Sequence, residues 1–390
     1  MARSEATLPS GDFQLPPSRI SPQQLLSQPL TSFTAGLKRD RSVLDVYLHR
    51  QGGDAAIGGG VFGAQTIQSR PISSELELFM RDAIIELDRI IDLDFRFVDA
   101  VNDAEIRVYL DQEINVEGDS NVLGIALLNG SASNGWWETI LAEPAFRGNQ
   151  AYLRYAYLHE VGHTLGLEHP FDFSDGDGFG SSNPSLSAFP EDTVMAYRSP
   201  RDGVWPDGYS LNDLEALISQ WGAEPQVFSD AADVISGMPY SEWFLAAGGD
   251  DRIAAGAGHD TIVAGQGDDQ IFAGQGDDQI FAGQGADQIF AGAGNDTIRA
   301  GSGHDRIRSG SGDDRVWGGR GADAFWHSAG VDQIMDFNGW EGDVMVLEPG
   351  LGYSLSQQTD YLLLESNLGV TQLWGVALDR FDAAHWIVVG

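Results

Sequence analysis

Tyr152-Leu-Arg-Tyr-Ala-Tyr-Leu-His-Glu-Val-Gly-His-Thr-Leu-Gly-Leu-Glu-His-Pro170 contains the spacing His159-Glu160-x-x-His163-x-x-Gly166-x-x-His169. On an α-helix, residues four apart lie on one face, about one turn or ~6 Å apart. His159 and His163 can therefore aim their imidazoles at one metal ion. Glu160 is next along the helix. It can reach a water on that ion but is badly placed to be a ligand. Gly166 is the natural end of the helix, because glycine accepts the left-handed conformation that reverses the chain. The reversal returns His169 as a third nitrogen ligand, and Pro170 prevents the helix from resuming. Three histidine ligands leave zinc a fourth position for water, the mark of a catalytic site. Glu160 is then expected to act as general base and acid in peptide-bond hydrolysis. Three of the eight histidines fall in this one stretch.

Past a polar loop comes Thr193-Val194-Met195-Ala196-Tyr197. The eleven-residue histidine pattern followed by Val-Met-x-Tyr resembles the metzincins, and within them the serralysin branch. The resemblance implies a tight turn whose methionine, Met195, underlies the zinc. It implies that Tyr197 is a fourth zinc ligand in the resting enzyme and swings away to stabilise the oxyanion. It also implies an α+β catalytic domain with a mixed sheet.

Lys and Arg number 22 against 58 Asp and Glu, a net charge of −36. That balance argues against nucleic acid and anionic membrane surfaces as partners. There is no cysteine, so a protein working outside the cell needs another staple, and metal can serve. The first thirty residues lack an apolar core, so no Sec-type signal is expected. No apolar run is long enough to span a membrane.

Residues 1–40 read as an extended or disordered segment and, through the resemblance, as a removable propeptide. Ser10-Gly11-Asp12 faintly resembles the aspartate switch of astacin propeptides, and Lys38-Arg39-Asp40-Arg41 is a candidate processing patch. Residues 41–225 read as the protease domain. Ser42–His49 is expected as a strand, followed by a glycine-rich loop over residues 52–63. Ser74-Glu75-Leu76-Glu77 reads as a capping box opening a helix with Leu76, Phe79, Met80, Ala83, Ile84, Leu87, Ile90 and Ile91 at helical spacing. Phe95–Val98 and Glu105–Leu110 are further strands. Gly124–Asn129 is a short apolar strand to which the resemblance gives the role of pairing with the substrate backbone, through Ala126 and Leu127. Asp172, Asp175 and Asp177, with Gly176 and Gly178, lie in a loop that lacks the spacing of an EF-hand. Ser210-Leu211-Asn212-Asp213 reads as the start of the last helix, with Leu214, Leu217, Ile218 and Trp221 on one face and Gly222 at its end, and residues 226–245 as a linker.

From Ala246 a nine-residue period runs to Trp326. Its sixth position is Asp251, Asp260, Asp269, Asp278, Asp287, Asp296, Asp305, Asp314 and Asp323. Its fourth is Gly249, Gly258, Gly267, Gly276, Gly285, Gly294, Gly303, Gly312 and Gly321. Its eighth is always apolar, from Ile253 to Phe325. This is similar to the repeats-in-toxin nonapeptide, which implies an all-β parallel roll over residues 246–347 binding several calcium ions. Each repeat is expected to give six residues of loop and a three-residue strand. Position one is Ala or Ser up to Ser309, where that family has glycine. At free calcium ~10 times the dissociation constant, each site adds about 1.4 kcal/mol. The roll should therefore fold outside the cell and stay unfolded inside. Residues 348–390 read as strands ending in an apolar Ile387-Val388-Val389. The resemblance makes that end a type I secretion signal, although the usual acidic residue before it is replaced by His385 and Trp386.

Together these readings predict a secreted, monomeric endopeptidase with one zinc and several calcium ions, acting on proteins or peptides. The alternative is a catalytically silent calcium-binding surface protein. That alternative predicts a lost ligand or a lost Glu160, and neither is lost.

Overall fold

A computed structural model describes residues 20–38, 43–114, 122–146, 148–170, 183, 188–201 and 203–389. The Ser10–Asp12 motif, most of the Lys38–Arg41 patch and the Asp172–Gly178 loop lie outside them. The chain forms two compact units. One contains the segments up to Leu37, Tyr47–Met80 and Glu105–Ala216; the other contains Lys38–Val46, Arg81–Ala104 and Leu217–Gly390.

The first unit is built on a mixed sheet. Gly53–Ile57 and Gln65–Arg70 form an antiparallel hairpin, and the second strand pairs with Ile106–Asp111 through Ser69 and Arg70. Ile106–Asp111 runs parallel to Trp136–Ala142, and both are buried along almost their whole length, as inner strands require. Gly124–Asn129 pairs antiparallel with Trp136–Ala142 and, among the described residues, with no other strand. It is the outer strand of the sheet. Neither the Gly53–Arg70 hairpin nor Trp136–Ala142 is visible in the sequence reading, because both lack a clean apolar alternation. Glu138 explains part of this. Its side chain is buried and accepts hydrogen bonds from the Gly58 and Gly59 N–H groups, Asn129 Nδ2 and Trp136 Nε1. A charged residue there pins the glycine-rich loop to the outer strand.

The helix Gln150–Leu165 packs against this sheet. Leu153, Tyr157, Leu158, Val161 and Leu165 are all at most 1% exposed, so the helix buries one continuous apolar stripe. Asn149 caps it by accepting the Tyr152 N–H at 3.1 Å. Where the sequence suggests an extended segment, Gln28–Leu37 is a helix. Thr34 Oγ1 donates to the Thr164 carbonyl at 2.6 Å and accepts from Trp137 Nε1 at 2.9 Å. The Ser27 N–H donates to the Gly166 carbonyl, and Leu25 O accepts from Glu168. Proline and serine had masked a helix whose stability comes from these distant partners rather than from its own composition. The helix Ser74–Asp88 forms but stops before Ile90 and Ile91, which the spacing had included, and Ser73 is its cap, through a bond from the Leu76 N–H.

In the second unit Val43–Val46 runs parallel to Asp94–Phe97, and a parallel β-solenoid fills the C-terminal part. Strands eighteen residues apart pair in register, as in Ile271↔Ile289 and Ile280↔Ile298, so two repeats make one full turn. The strands are six residues long where three were expected, as in Gln270–Gln275. Alternation then sends two residues of each strand inward. These are the apolar eighth position and the alanine of the next repeat's first position, such as Ile280 and Ala282, both at 0% exposure. The departure from glycine at position one is thus a second core row. The narrow interior admits only a small side chain there. Pro225–Val227, Val234–Ser236 and Trp243–Leu245 already belong to the two ladders, in the stretch read as a linker. At the other end Ile387–Val389 pairs parallel with Val344–Leu347.

Ile280→Ala should lower the stability of the calcium-loaded solenoid by about 2–5 kcal/mol, read by denaturant unfolding.

Candidate metal centre

The helix Gln150–Leu165 presents His159, Glu160 and His163, and its end determines where His169 lies. Gly166 has φ +106° and its N–H donates to the His163 carbonyl at 3.2 Å. A Cβ on it would meet Thr31 Cγ2 at 2.2 Å, so both conformation and space require glycine. The chain turns back, and His169 Nε2 comes to lie 3.2 Å from Nε2 of both His159 and His163. The three ligand atoms lie within 4.8 Å of one another.

The second ring nitrogens set the tautomers. His159 Nδ1–H donates to the Val194 carbonyl at 2.7 Å, and His163 Nδ1–H donates to the Leu167 carbonyl at 2.9 Å. A carbonyl can only accept, so in the neutral rings both Nε2 atoms are bare lone pairs. Burial keeps the rings neutral, pushing His159 down to about 3, His163 to about 4 and His169 to about 2. Converging lone pairs repel unless a cation lies among them. Three neutral imidazole nitrogens fit zinc, and the carbonyl partners give the second-shell support such ligands need.

Met195 is fully buried, and its sulfur passes beneath Gly162, where a Cβ would stand 3.0 Å from it. The turn that carries Met195 is held by Asp213, a buried carboxylate that the sequence reading missed. It accepts from Thr193 Oγ1, from the Val194 N–H at 2.9 Å and from the Ser210 N–H at 2.9 Å. Asp213 thereby fixes the carbonyl that orients His159. In the sequence it looks like an ordinary first-turn aspartate of the next helix, so no local signal marks it. Tyr197 stands beside the triad, its ring centroid 5.3 Å from that of His159 and 4.7 Å from that of His169. Desolvation of its phenol and the charge of Glu160 push its pKa up to about 12.

Glu160 is 7% exposed, and burial raises its pKa to about 8 against a hydrogen bond from the Ala126 main chain. A Cβ on Gly124 would stand 2.6 Å from Glu160 Oε1, so the outer strand approaches the carboxylate closely at a glycine. A cleft of about 410 Å³ opens here, lined by Gly124, Tyr152, His159, Glu160, Tyr197 and Trp205. The structure thus brings together His159, Glu160, His163, His169, Met195, Tyr197 and Ala126. Leu127 is buried and faces the other side of the sheet.

In the solenoid the sixth-position aspartates form two buried rows. From Asp269 on, Oδ1 accepts the backbone N–H of the aspartate one full turn earlier, at 2.8 Å from Asp251 to Asp269 and 2.9 Å from Asp269 to Asp287; Asp251 and Asp260 accept from the N–H groups of Asp233 and Glu242. The Oδ2 atoms of Asp251, Asp269, Asp278, Asp287, Asp296, Asp305 and Asp323 are buried and receive no hydrogen bond. Burial pushes Asp269, Asp296 and Asp305 up to about 7, and Asp278 and Asp287 to about 6. Repeated bare carboxylate oxygens suit a hard cation with oxygen ligands. The next position differs: Asp332 Oδ2 accepts from Ser328 Oγ at 2.7 Å. The fourth-position glycines have positive φ and lie against the turn below; a Cβ on Gly285 would meet the Gly267 carbonyl at 1.8 Å.

Comparison with known proteins fits this array. The family described as RTX calcium-binding nonapeptide repeat (4 copies) matches residues 245–280, 263–298, 272–307 and 299–334. The chain therefore carries calcium-binding RTX repeats. A serralysin of Photorhabdus luminescens is 33% identical over 89 residues, 20% of this chain and 18% of that protein. Serralysin C of Dickeya chrysanthemi is 37% identical over 84 residues, 18% of this chain and 17% of that protein. These matches fall on the repeat region, and the chain spans under a fifth of the length of these relatives. Among solved structures, the extracellular lipase LipA of Serratia marcescens aligns with a TM-score of 0.23 at 20% identity, covering 43% of this chain and 40% of that one.

Removing calcium with a chelator at neutral pH should abolish most of the solenoid's β signal in circular dichroism. The buried aspartates have folded pKa values above the ordinary 3.8, so their contribution is full below about pH 4 and is lost as pH rises through 6–7. The calcium-free chain should accordingly regain β structure on acidification from pH 8 to pH 5.

Proposed function

We propose that the chain is a secreted, zinc-dependent endopeptidase of serralysin type, with a metzincin-like catalytic domain stabilised by its calcium-binding repeats. The observation that carries this reading is the convergence of three neutral imidazole nitrogens beside a buried glutamate in an open cleft. His159, His163 and His169 would hold the zinc, with Tyr197 as a fourth ligand in the resting state. Bound zinc supplies a Lewis acid that makes water nucleophilic near neutral pH.

The residues of the chain do the rest. Glu160, buried beside the cluster at the cleft, takes a proton from the attacking water and passes it to the leaving amine. Tyr197, beside His159 and His169, donates its O–H to the developing oxyanion. Met195 supports the helix beneath the ligands. The outer strand offers its open edge around Ala126 to an extended substrate, so that main-chain pairing accepts many sequences; Leu127, expected to share this role, turns its main-chain groups to Trp136–Ala142 instead. The repeats favour export by a type I secretion system, since calcium outside the cell would drive their folding.

Glu160→Gln should retain one zinc per chain yet lower cleavage of a generic protein substrate by about 10²–10⁴-fold. His163→Ala should lose the metal, measured by elemental analysis. Equal cleavage by the wild type and Glu160→Gln would sink the mechanism.

A further inference from the structure

An α-helix leaves its last carbonyls without partners inside the helix. The helix Gln150–Leu165 ends just after His163, so these groups fall in the short reversal that joins His163 to His169. Part of the need is met from within: the Gly166 N–H donates to the Gly162 and His163 carbonyls, and the Leu167 N–H to that of Gly162. Further groups of the reversal go to a distant stretch, Ile20–Leu37. The Thr164 carbonyl accepts from Thr34 Oγ1 at 2.6 Å, and the Gly166 carbonyl from the Ser27 N–H at 2.9 Å. The Glu168 N–H donates to the Leu25 carbonyl at 2.8 Å, and Leu26 forms an antiparallel bridge with Leu167.

This stretch is part of the core. Ile20, Leu25, Thr31, Thr34 and Leu37 are all at most 3% exposed, and the Ile20 N–H donates to Asn212 Oδ1 at 3.0 Å. Thr34 uses its hydroxyl twice, as donor to Thr164 and as acceptor from Trp137 Nε1 at 2.9 Å. Turning it away would leave a buried carbonyl and a buried indole N–H bare, and each is costly. The lever from this stretch to the ligands is short. Thr164 adjoins His163 and Glu168 adjoins His169 in the chain. Leu167, bridged to Leu26, supplies the carbonyl that takes the His163 Nδ1 proton.

We infer that Ile20–Leu37 is a permanent part of the metal centre and that Thr34 is a positioning residue for the reversal that carries His169. It follows that residues 1–40 are not one removable piece. A cut at Lys38–Arg41 would detach every partner that this stretch gives the reversal, so any segment removed in maturation ends before Ile20. This assignment rests on the peptidase reading above and adds to it what holds the third ligand in place.

The test compares Thr34→Val and Thr34→Ser with the wild type, each as the calcium-loaded full chain. Zinc affinity is read by competition with a chelator, and site geometry by the visible absorption of the cobalt(II)-substituted protein. Thr34→Val keeps the side chain's shape but loses both hydrogen bonds. It should bind zinc roughly tenfold more weakly and change the cobalt spectrum, with far-ultraviolet circular dichroism unaltered. Thr34→Ser keeps the hydroxyl and should restore both readouts. If Thr34→Val does not fold, Thr31→Ser replaces it; this variant removes the methyl group above Gly166 and should also weaken zinc. Native mass spectrometry of the wild type after limited trypsin digestion should find Ile20–Leu37 in every zinc-bearing species. Wild-type zinc affinity in Thr34→Val, or in Thr31→Ser where it stands in, overturns the inference alone, as does a zinc-bearing species without Ile20–Leu37. A wild type that binds no zinc overturns the peptidase reading and the inference with it.

Discussion

Acceptor atoms that converge with no proton between them govern both units of this protein. In the first, backbone carbonyls take the Nδ1 protons of His159 and His163, and the opposite lone pairs face His169. In the second, one oxygen of the row aspartates receives a main-chain N–H, and in Asp251, Asp269, Asp278, Asp287, Asp296, Asp305 and Asp323 the other is buried and receives no hydrogen bond. Each arrangement is costly by itself, since buried acceptors and charges need partners. Each becomes favourable when a cation supplies the missing positive charge. The chemistry differs with the donor: three soft-to-borderline nitrogens in one place, and a long series of hard oxygens in the other.

The way each set of acceptors is built also differs. The histidine cluster depends on contacts between segments far apart in the chain. Asp213 fixes Thr193 and Val194, Val194 orients His159, and the N-terminal helix closes over Gly166 through Thr31. Loss of any one partner would leave a ring free to turn. The aspartate rows depend on translation alone. A residue and its equivalent eighteen positions later meet the same neighbours, so geometry repeats without a specialised support for each site. Glycines at the fourth position permit this, because any side chain there would strike the carbonyl of the turn below.

The outer strand links the histidine cluster to its surroundings in the first unit. Gly124 lets it pass close to Glu160, Ala126 donates to that carboxylate, and Glu138 with Asn129 secures the glycine-rich loop at its far end. A strand so placed has one face on the cleft and the other on an acidic-lined pocket.

Periodic features were legible from the sequence alone. The i, i+4 histidines, the closing glycine and the nine-residue period each encode their geometry in spacing, because a helix or a solenoid turns a fixed interval into a fixed position. The aspartate and isoleucine rows, His159 and His163 were readable for that reason. The aperiodic parts needed the tertiary structure. Nothing local distinguishes Asp213 from any first-turn aspartate, or Glu138 from an exposed strand residue. Gln28–Leu37 looks like a linker until Thr34 finds Thr164 and Trp137. The alanines of position one look like defects until strand alternation turns them inward beside the isoleucines. Spacing along the chain specifies which residues can share a face; only the packed fold decides which distant groups supply the protons, carbonyls and volumes that those faces require.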